Sequence, residues 1–233
     1  MTEQNDKNQV RFLFDSVANR YDLANHLLSF GLDLYWRKKA VKLAASDDSR
    51  KVLDVCCGTG DFAFSFAKNC PKLEKIIACD FSSVMIEIAK VKQRKIPADI
   101  EWFVANCIST GFDDSSFDII SCGFGVRNLI DLKAGLTEMH RLLGPGGRTC
   151  ILEFSMPKNI LFRLIYLFYL NIIVPLLGGL ITGKYKAYKY LAKTVKHFCE
   201  TIDLKKELAA AGFREITAKS LTAGIVTIYI GGK

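Results

Sequence analysis

Histidine is scarce in this chain: three residues among 233, His26, His140 and His197. No CxxC pair occurs, although there are eight cysteines. A zinc centre needs closely spaced Cys or His ligands, so no metal site is expected. The opening residues, MTEQNDKNQV, lack the apolar core of a secretory signal. A cytoplasmic setting with reduced thiols is the expectation. No linker, repeat or low-complexity tract divides the chain, so a single domain over residues 1–233 is expected. The net charge of +8 suits an anionic partner, such as a lipid surface or a phosphorylated ligand. No RNP-like or aromatic-stacking motif accompanies it, so nucleic acid is not the expected partner.

What is present alternates. The polar residues 1–9 are expected to fray. Residues 10–45 read as two or three helices, from the spacing of Val10, Leu13, Phe14 and Val17 and of Trp36, Ala40, Leu43 and Ala44. From Lys51 the pattern changes to short apolar runs, each followed by a helical stretch. Strands are predicted at Val52–Cys56, Lys75–Cys79, Ile100–Val104, Phe117–Cys122 and Arg148–Phe154, the last after a Gly144–Gly147 turn. Such alternation predicts βαβ units and a parallel α/β sheet. Two further β-rich runs, 215–219 and 224–230, close the chain. Residues 159–183 break the rhythm: Leu164 to Ile181 carries no charge. That is close to the length of a membrane span, but Asn171, Pro175, Gly178 and Gly179 interrupt it. An apolar helical cover over a cavity, or a helix lying in a membrane interface, is the preferred reading. A basic, aromatic stretch from Lys184 to Phe198 follows.

The stretch KVLDVCCGTGD, residues 51–61, ends the first predicted strand in a glycine-rich turn. Glycines let a backbone turn sharply and approach a ligand closely. Asp54 precedes them, and Asp80 ends the second strand 20 residues after Gly60. A carboxylate there accepts hydrogen bonds from both hydroxyls of a ribose. Two cofactors fit this loop. Asp54-x-Cys56-x-Gly58-x-Gly60 resembles the loop of class I methyltransferases that use S-adenosylmethionine. Gly58-Thr-Gly60-Asp-Phe-Ala63 also fits the NAD fingerprint. The adjacent Cys56 and Cys57 are poor disulfide partners and lack further metal ligands nearby, so both read as small filler residues.

The order of motifs along the whole chain resembles the C-methyltransferases of menaquinone and ubiquinone biosynthesis. Phe14-Asp-Ser-Val-Ala-Asn-Arg-Tyr21-Asp22-Leu-Ala-Asn25-His26-Leu-Leu-Ser29 matches the family's opening, and Trp36-Arg37 continues it. Val52–Asp61, Phe124-Gly-Val-Arg127-Asn128, His140–Ser155, Tyr190–Phe198 and Leu221–Val226 follow in order. There are departures. Cys56 stands where the loop usually has glycine, Ala24 replaces Met, Gly144 replaces Lys, and Asp33 stands where the family usually has His, three residues before Trp36.

The resemblance implies a class I fold, a seven-stranded and mainly parallel sheet with helices on both faces. It implies methylation of a ring carbon of a polyprenylated quinol by S-adenosylmethionine, demethylmenaquinol being the preferred substrate and the ubiquinone-pathway benzoquinol the alternative. Cofactor positions map to Asp54, Gly58, Thr59, Gly60, Asp80, Asn106, Cys107 and Gly123. Arg127 is the candidate for stabilising a ring oxyanion and Asn128 for positioning the ring. Tyr21, Asp22 and His26 form a second group, the last two sharing a helix face and able to act as an acid–base pair. Residues 10–45 would form a lid and 159–200 an apolar cover along the prenyl tail. Lys184, Lys186, Lys189, Lys193 and Lys196 would meet anionic headgroups at the inner face of the membrane.

Overall fold

The computed structural model describes residues 3–233, with side chains from Val10 onward. Residues 1 and 2, and the side chains of the stretch expected to fray, lie outside the described residues. The first helix, α1, spans Glu3–Val17 and so begins before Val10. Helices α2 (Tyr21–Leu28) and α3 (Leu32–Ala44) complete the amino-terminal segment.

The core is a seven-stranded sheet in the order β3-β2-β1-β4-β5-β7-β6. Its strands are β1 (Lys51–Val55), β2 (Lys75–Asp80), β3 (Glu101–Val104), β4 (Phe117–Gly123), β5 (Leu143–Phe154), β6 (Arg214–Leu221) and β7 (Val226–Gly232). The first five are parallel, and β7 runs antiparallel between β5 and β6. Helices α4 (Asp61–Asn69), α5 (Ser83–Gln93), α6 (Leu132–Leu142) and α10 (Leu204–Ala210) cross between strands. Ser82 caps α5, its hydroxyl accepting from the Met85 amide at 3.1 Å. Side-chain alternation divides the core into two layers. Val52 and Ile119 face α3 and α4 with Trp36, Ala40 and Phe66, whereas Leu53 and Ile120 face α6 and α10 with Leu136 and Leu208. Residues 144–147 do not precede β5 as a separate turn. They form a bulge inside it, because Phe117 pairs with Leu143 and Ile119 with Arg148.

Above the carboxyl ends of the strands, α7 (Ile160–Phe168), a π turn (Tyr169–Ile173) and α8 (Val174–Thr182) run on as one helix of 23 residues, packed against α9 (Tyr185–Thr201). By length and composition this helix could cross a membrane. Here Tyr166, Leu170, Val174 and Gly178, spaced by four, turn one face inward, and most of its other large side chains stay exposed. Asn171, Pro175 and the two glycines do not break it. Pro175 sits in the first turn of α8, directly after the π turn, where a missing N–H is tolerated. Gly178 and Gly179 lie under Tyr188 and Tyr185 of α9 and permit the close approach.

Candidate active site

Loops at the carboxyl ends of β1, β2, β3 and β4 enclose a cavity of about 250 Å³. Asp54, Gly58, Thr59, Asp80, Asn106, Cys107 and Gly123 all line it. Gly60 does not. It lies below the loop at φ +87°, where any Cβ would overlap the Trp102 ring, so its task is to start α4 in close packing. The Gly58 amide donates to Asp80 Oδ2 at 2.9 Å and the Ser82 amide to Oδ1 at 2.9 Å. Burial raises the Asp80 carboxyl above its usual range, opposed by those two amides. Asp54 is fully buried, and burial pushes it up to about 7 although the Ser121 hydroxyl donates to Oδ1 at 2.7 Å.

Asp54 Oδ2 and Asn128 Oδ1 are buried without a hydrogen-bond partner among the described residues, and both residues line this cavity. Orphaned buried acceptors beside an open cavity call for a donor from a ligand. An amino-acid and nucleoside cofactor such as S-adenosylmethionine carries such donors. The NAD alternative loses its support here, because a dinucleotide fold repeats the mononucleotide half in parallel where this sheet inserts an antiparallel strand. Asn128, expected to position the substrate ring, lines the cavity of the glycine loop. The short 3₁₀ turn Val126–Asn128 turns it that way while Arg127 points to the other side.

A second cavity, of about 350 Å³, lies between the sheet edge, α1–α3 and α7–α9. Its walls are mainly apolar, with Phe154, Phe162, Tyr166 and Leu170 among them; Asp33, Arg37 and Arg127 are its charged groups. Arg127 Nη1 donates to Glu153 Oε1 at 2.9 Å and to the Phe124 carbonyl, while Nε is buried with no partner among the described residues. Glu153 is fully buried and anchors this arginine. Tyr21 lies where the two cavities meet. Burial raises its hydroxyl, and the Arg127 charge opposes this.

Asp22 and His26 do not form the expected acid–base pair, and neither lines a cavity. Asp22 accepts from the Thr59 hydroxyl and pairs with Lys92 at 2.7 Å, joining α2 to the glycine loop and α5. His26 Nδ1 lies 2.8 Å from Asp33 Oδ2. Each thus finds a nearer partner on another element. The position where the family usually has His holds Asp33, and the structure returns an imidazole to it from His26. Asp33 also pairs with Arg37 at 2.6 Å, and Arg37 Nη2 is 3.7 Å from Asp61, which meets Lys92 at 2.6 Å. Burial opposes ionisation of Asp61, yet Arg37 and Lys92 hold its carboxyl below the usual range. His26, Asp33 and Asp61 bring ligand atoms within 4.8 Å of one another, and both carboxylates already have cationic partners, Arg37 for Asp33 and Lys92 for Asp61. Sequence reasoning missed Asp33, Arg37, Asp61 and Lys92 as site residues. The i,i+4 spacing of Asp33 and Arg37 was the one local signal available.

Comparison with known proteins agrees with this geometry. The family model described as the ubiE/COQ5 methyltransferase family matches residues 1–233. The chain is 42% identical to the ubiquinone/menaquinone biosynthesis C-methyltransferase UbiE of Geotalea uraniireducens, over 100% of this chain and 99% of that one. It is 39% identical to the demethylmenaquinone methyltransferase of Thermus thermophilus, over 95% of this chain and 100% of the other. Among solved structures, an S-adenosylmethionine-dependent methyltransferase of Thermotoga maritima superposes with a TM-score of 0.63 at 20% identity, over 95% of this chain and 99% of that one, a likeness of fold alone. With a matching family model along its full length and relatives of this identity, the chain belongs to the ubiE/COQ5 methyltransferase family.

Proposed function

We propose that the chain methylates a ring carbon of a polyprenylated quinol, using S-adenosylmethionine, and that demethylmenaquinol is the substrate. One observation carries the reading: a cavity that holds Asp54, Asp61 and Asp80 and a larger, more apolar cavity meet at a shared wall of Phe14, Tyr21, Arg37 and Phe124. A prenylated ring suits the apolar side. The names borne by the relatives describe this class of reaction, and one of them names demethylmenaquinone. The benzoquinol of ubiquinone synthesis is the second reading, because the other relative's name covers both quinones.

S-adenosylmethionine, when bound, supplies an electrophilic methyl group on a sulfonium. The chain does the rest. Gly58, Thr59 and Asp54 cradle the cofactor's amino-acid end, Asp80 takes the ribose hydroxyls, and Asn106, Cys107 and Gly123 line the remainder of its pocket. Arg127, with a free Nε, offers a donor to a ring oxygen. Helices α1–α3 act as a lid that excludes water, tied to the glycine loop through Asp22 and Thr59. The α7–α9 cover walls the prenyl path and rests on the cytoplasmic face of the membrane.

The test is incubation with radiolabelled S-adenosylmethionine and, separately, prenylated naphthoquinol and benzoquinol. Label in the naphthoquinol is the expected result. Label in the benzoquinol alone would transfer the activity to the second reading, and label in neither would defeat both.

A further inference from the structure

Four residues belong to both cavities, and only one of them, Arg37, carries a fixed charge. We propose that Arg37 is a catalytic residue, whose guanidinium holds the ring oxygen beside the reacting carbon as a phenolate. The inference rests on the quinol reading above.

The chemistry requires such a group. The hydroxyl O–H breaks, its proton passing to water, and its electron pair moves into the ring. The neighbouring ring carbon then bonds the methyl carbon as the methyl–sulfur pair returns to sulfur. That carbon next loses its own hydrogen as a proton, and the hydroxyl is restored, so one proton is released for each methyl transferred. A phenol ionises near pH 10 in water, and an apolar cavity opposes the anion further. A fixed cation at the point of transfer reverses that penalty, and acts strongly because the site is dry and the group already in place.

Arg37 is built for this position. It is 7% exposed, and its guanidinium carbon stands 5.5 Å from the Phe124 ring centre. Asp33 fixes one end of it at 2.6 Å, and Asp33 is itself held by the Ser29 hydroxyl at 2.8 Å. The surrounding charges come from several elements: Tyr21, Asp22 and His26 on α2, Asp33 on α3, Asp61 on α4, Lys92 on α5 and Arg127 after β4. Of the two carboxylates nearest Arg37, Asp61 also pairs with Lys92 at 2.6 Å, so it is not devoted to cancelling the Arg37 charge, and Asp33 also meets the His26 ring at 2.8 Å. Arg127 lines the apolar cavity alone, and its Nη1 serves Glu153 and the Phe124 carbonyl. Tyr21 is neutral, because burial raises its hydroxyl.

The probe is a 2-alkyl-1-naphthol, which mimics the reacting ring and changes its absorbance on ionising, bound together with S-adenosylhomocysteine. In the wild type the bound naphthol ionises at least one pH unit below its value in solution. In Arg37→Gln it ionises at or above the solution value, and Arg37→Lys, which keeps a charge and guards against loss of folding, lies between. Equal titration curves in the wild type and Arg37→Gln, with naphthol bound to both, would overturn the proposal. Kinetics give a second reading. Arg37→Gln lowers kcat for the quinol by about 100-fold near pH 7, a deficit that narrows as pH rises, while S-adenosylmethionine affinity by calorimetry changes less than threefold. A deficit constant with pH would mark a structural role. Weakened cofactor affinity with unchanged kcat would mark a clamp on the cofactor, and either result refutes the assignment. A wild type that methylates no quinol yet lowers the naphthol titration would defeat the quinol reading and leave the oxyanion site standing.

Discussion

Cys56 adopts φ +53°, a left-handed conformation that favours glycine, and so explains why the family loop usually has glycine there. Its side chain is more than filler. Cys56 Sγ lies 3.3 Å from Cys107 Sγ, and a Cβ on Gly125 would stand 2.5 Å from Cys56 Cβ and 2.8 Å from Cys122 Sγ. Gly125→Ala is expected to cost about 2 kcal/mol or more through overpacking, and measurably less in a Cys56→Gly background. Additive costs in chemical denaturation of the four proteins would show that the contact is not felt. Asp54 makes a pH prediction. Its folded value, about 7, lies above the unfolded value near 3.9, so its contribution to stability is complete below pH 4 and is lost as pH rises through 7. Asp54→Asn, which cannot titrate, should remove that slope, on the order of a few kcal/mol between pH 4 and 7. An unchanged difference between the two proteins across that range would refute the assignment.

At the scale of elements, strands were legible from apolar runs, and most of their limits moved by only one or two positions. The exceptions share a cause. The Gly144–Gly147 bulge and the uninterrupted helix 160–182 both depend on a neighbour that sequence does not display: β4 for the first, α9 for the second. Gly178 shows the difference. By propensity it weakens a helix, but in place it is the contact point for Tyr188. Gly178→Ala, which would raise the stability of an isolated helix, is expected to destabilise the protein by about 1–3 kcal/mol. A higher melting temperature in the variant would show that α9 does not need the gap.

At the scale of the molecule, exposed apolar side chains gather on one side. Leu161, Leu164, Phe168, Leu176 and Leu180 of the long helix are joined by Phe30 in the α2–α3 turn, whose ring lies 6.2 Å from that of Tyr169. Phe30 and Leu180 are 80% and 81% exposed, and exposed Lys158 and Lys184 flank the helix. Phe30, Phe162 and Ile165 also line the larger cavity, so its mouth opens within this apolar face. Such a face fits an anionic lipid surface, with apolar insertion and basic flanks acting together. Phe30→Glu and Leu180→Glu should each reduce co-flotation with anionic vesicles by about tenfold or more, and high salt should weaken the wild type. Equal flotation of variants and wild type would remove this face from consideration.

The sequence by itself determined the alternating architecture, the glycine loop with its acids at 54 and 80, and the family, because these are written in local spacing and in motif order. Only the tertiary structure decided the rest. It turned Asn128 toward the glycine-loop cavity and set Gly60 beneath the loop, and it gave Asp22 and His26 different partners. It also gathered Asp33 and Arg37 of α3, Asp61 of α4 and Lys92 of α5 from three helices into one network. Those outcomes depend on which of several possible partners comes nearest once the chain is packed. Charge and hydrogen-bonding energies fall off within a few ångströms, and sequence separation carries no record of such distances.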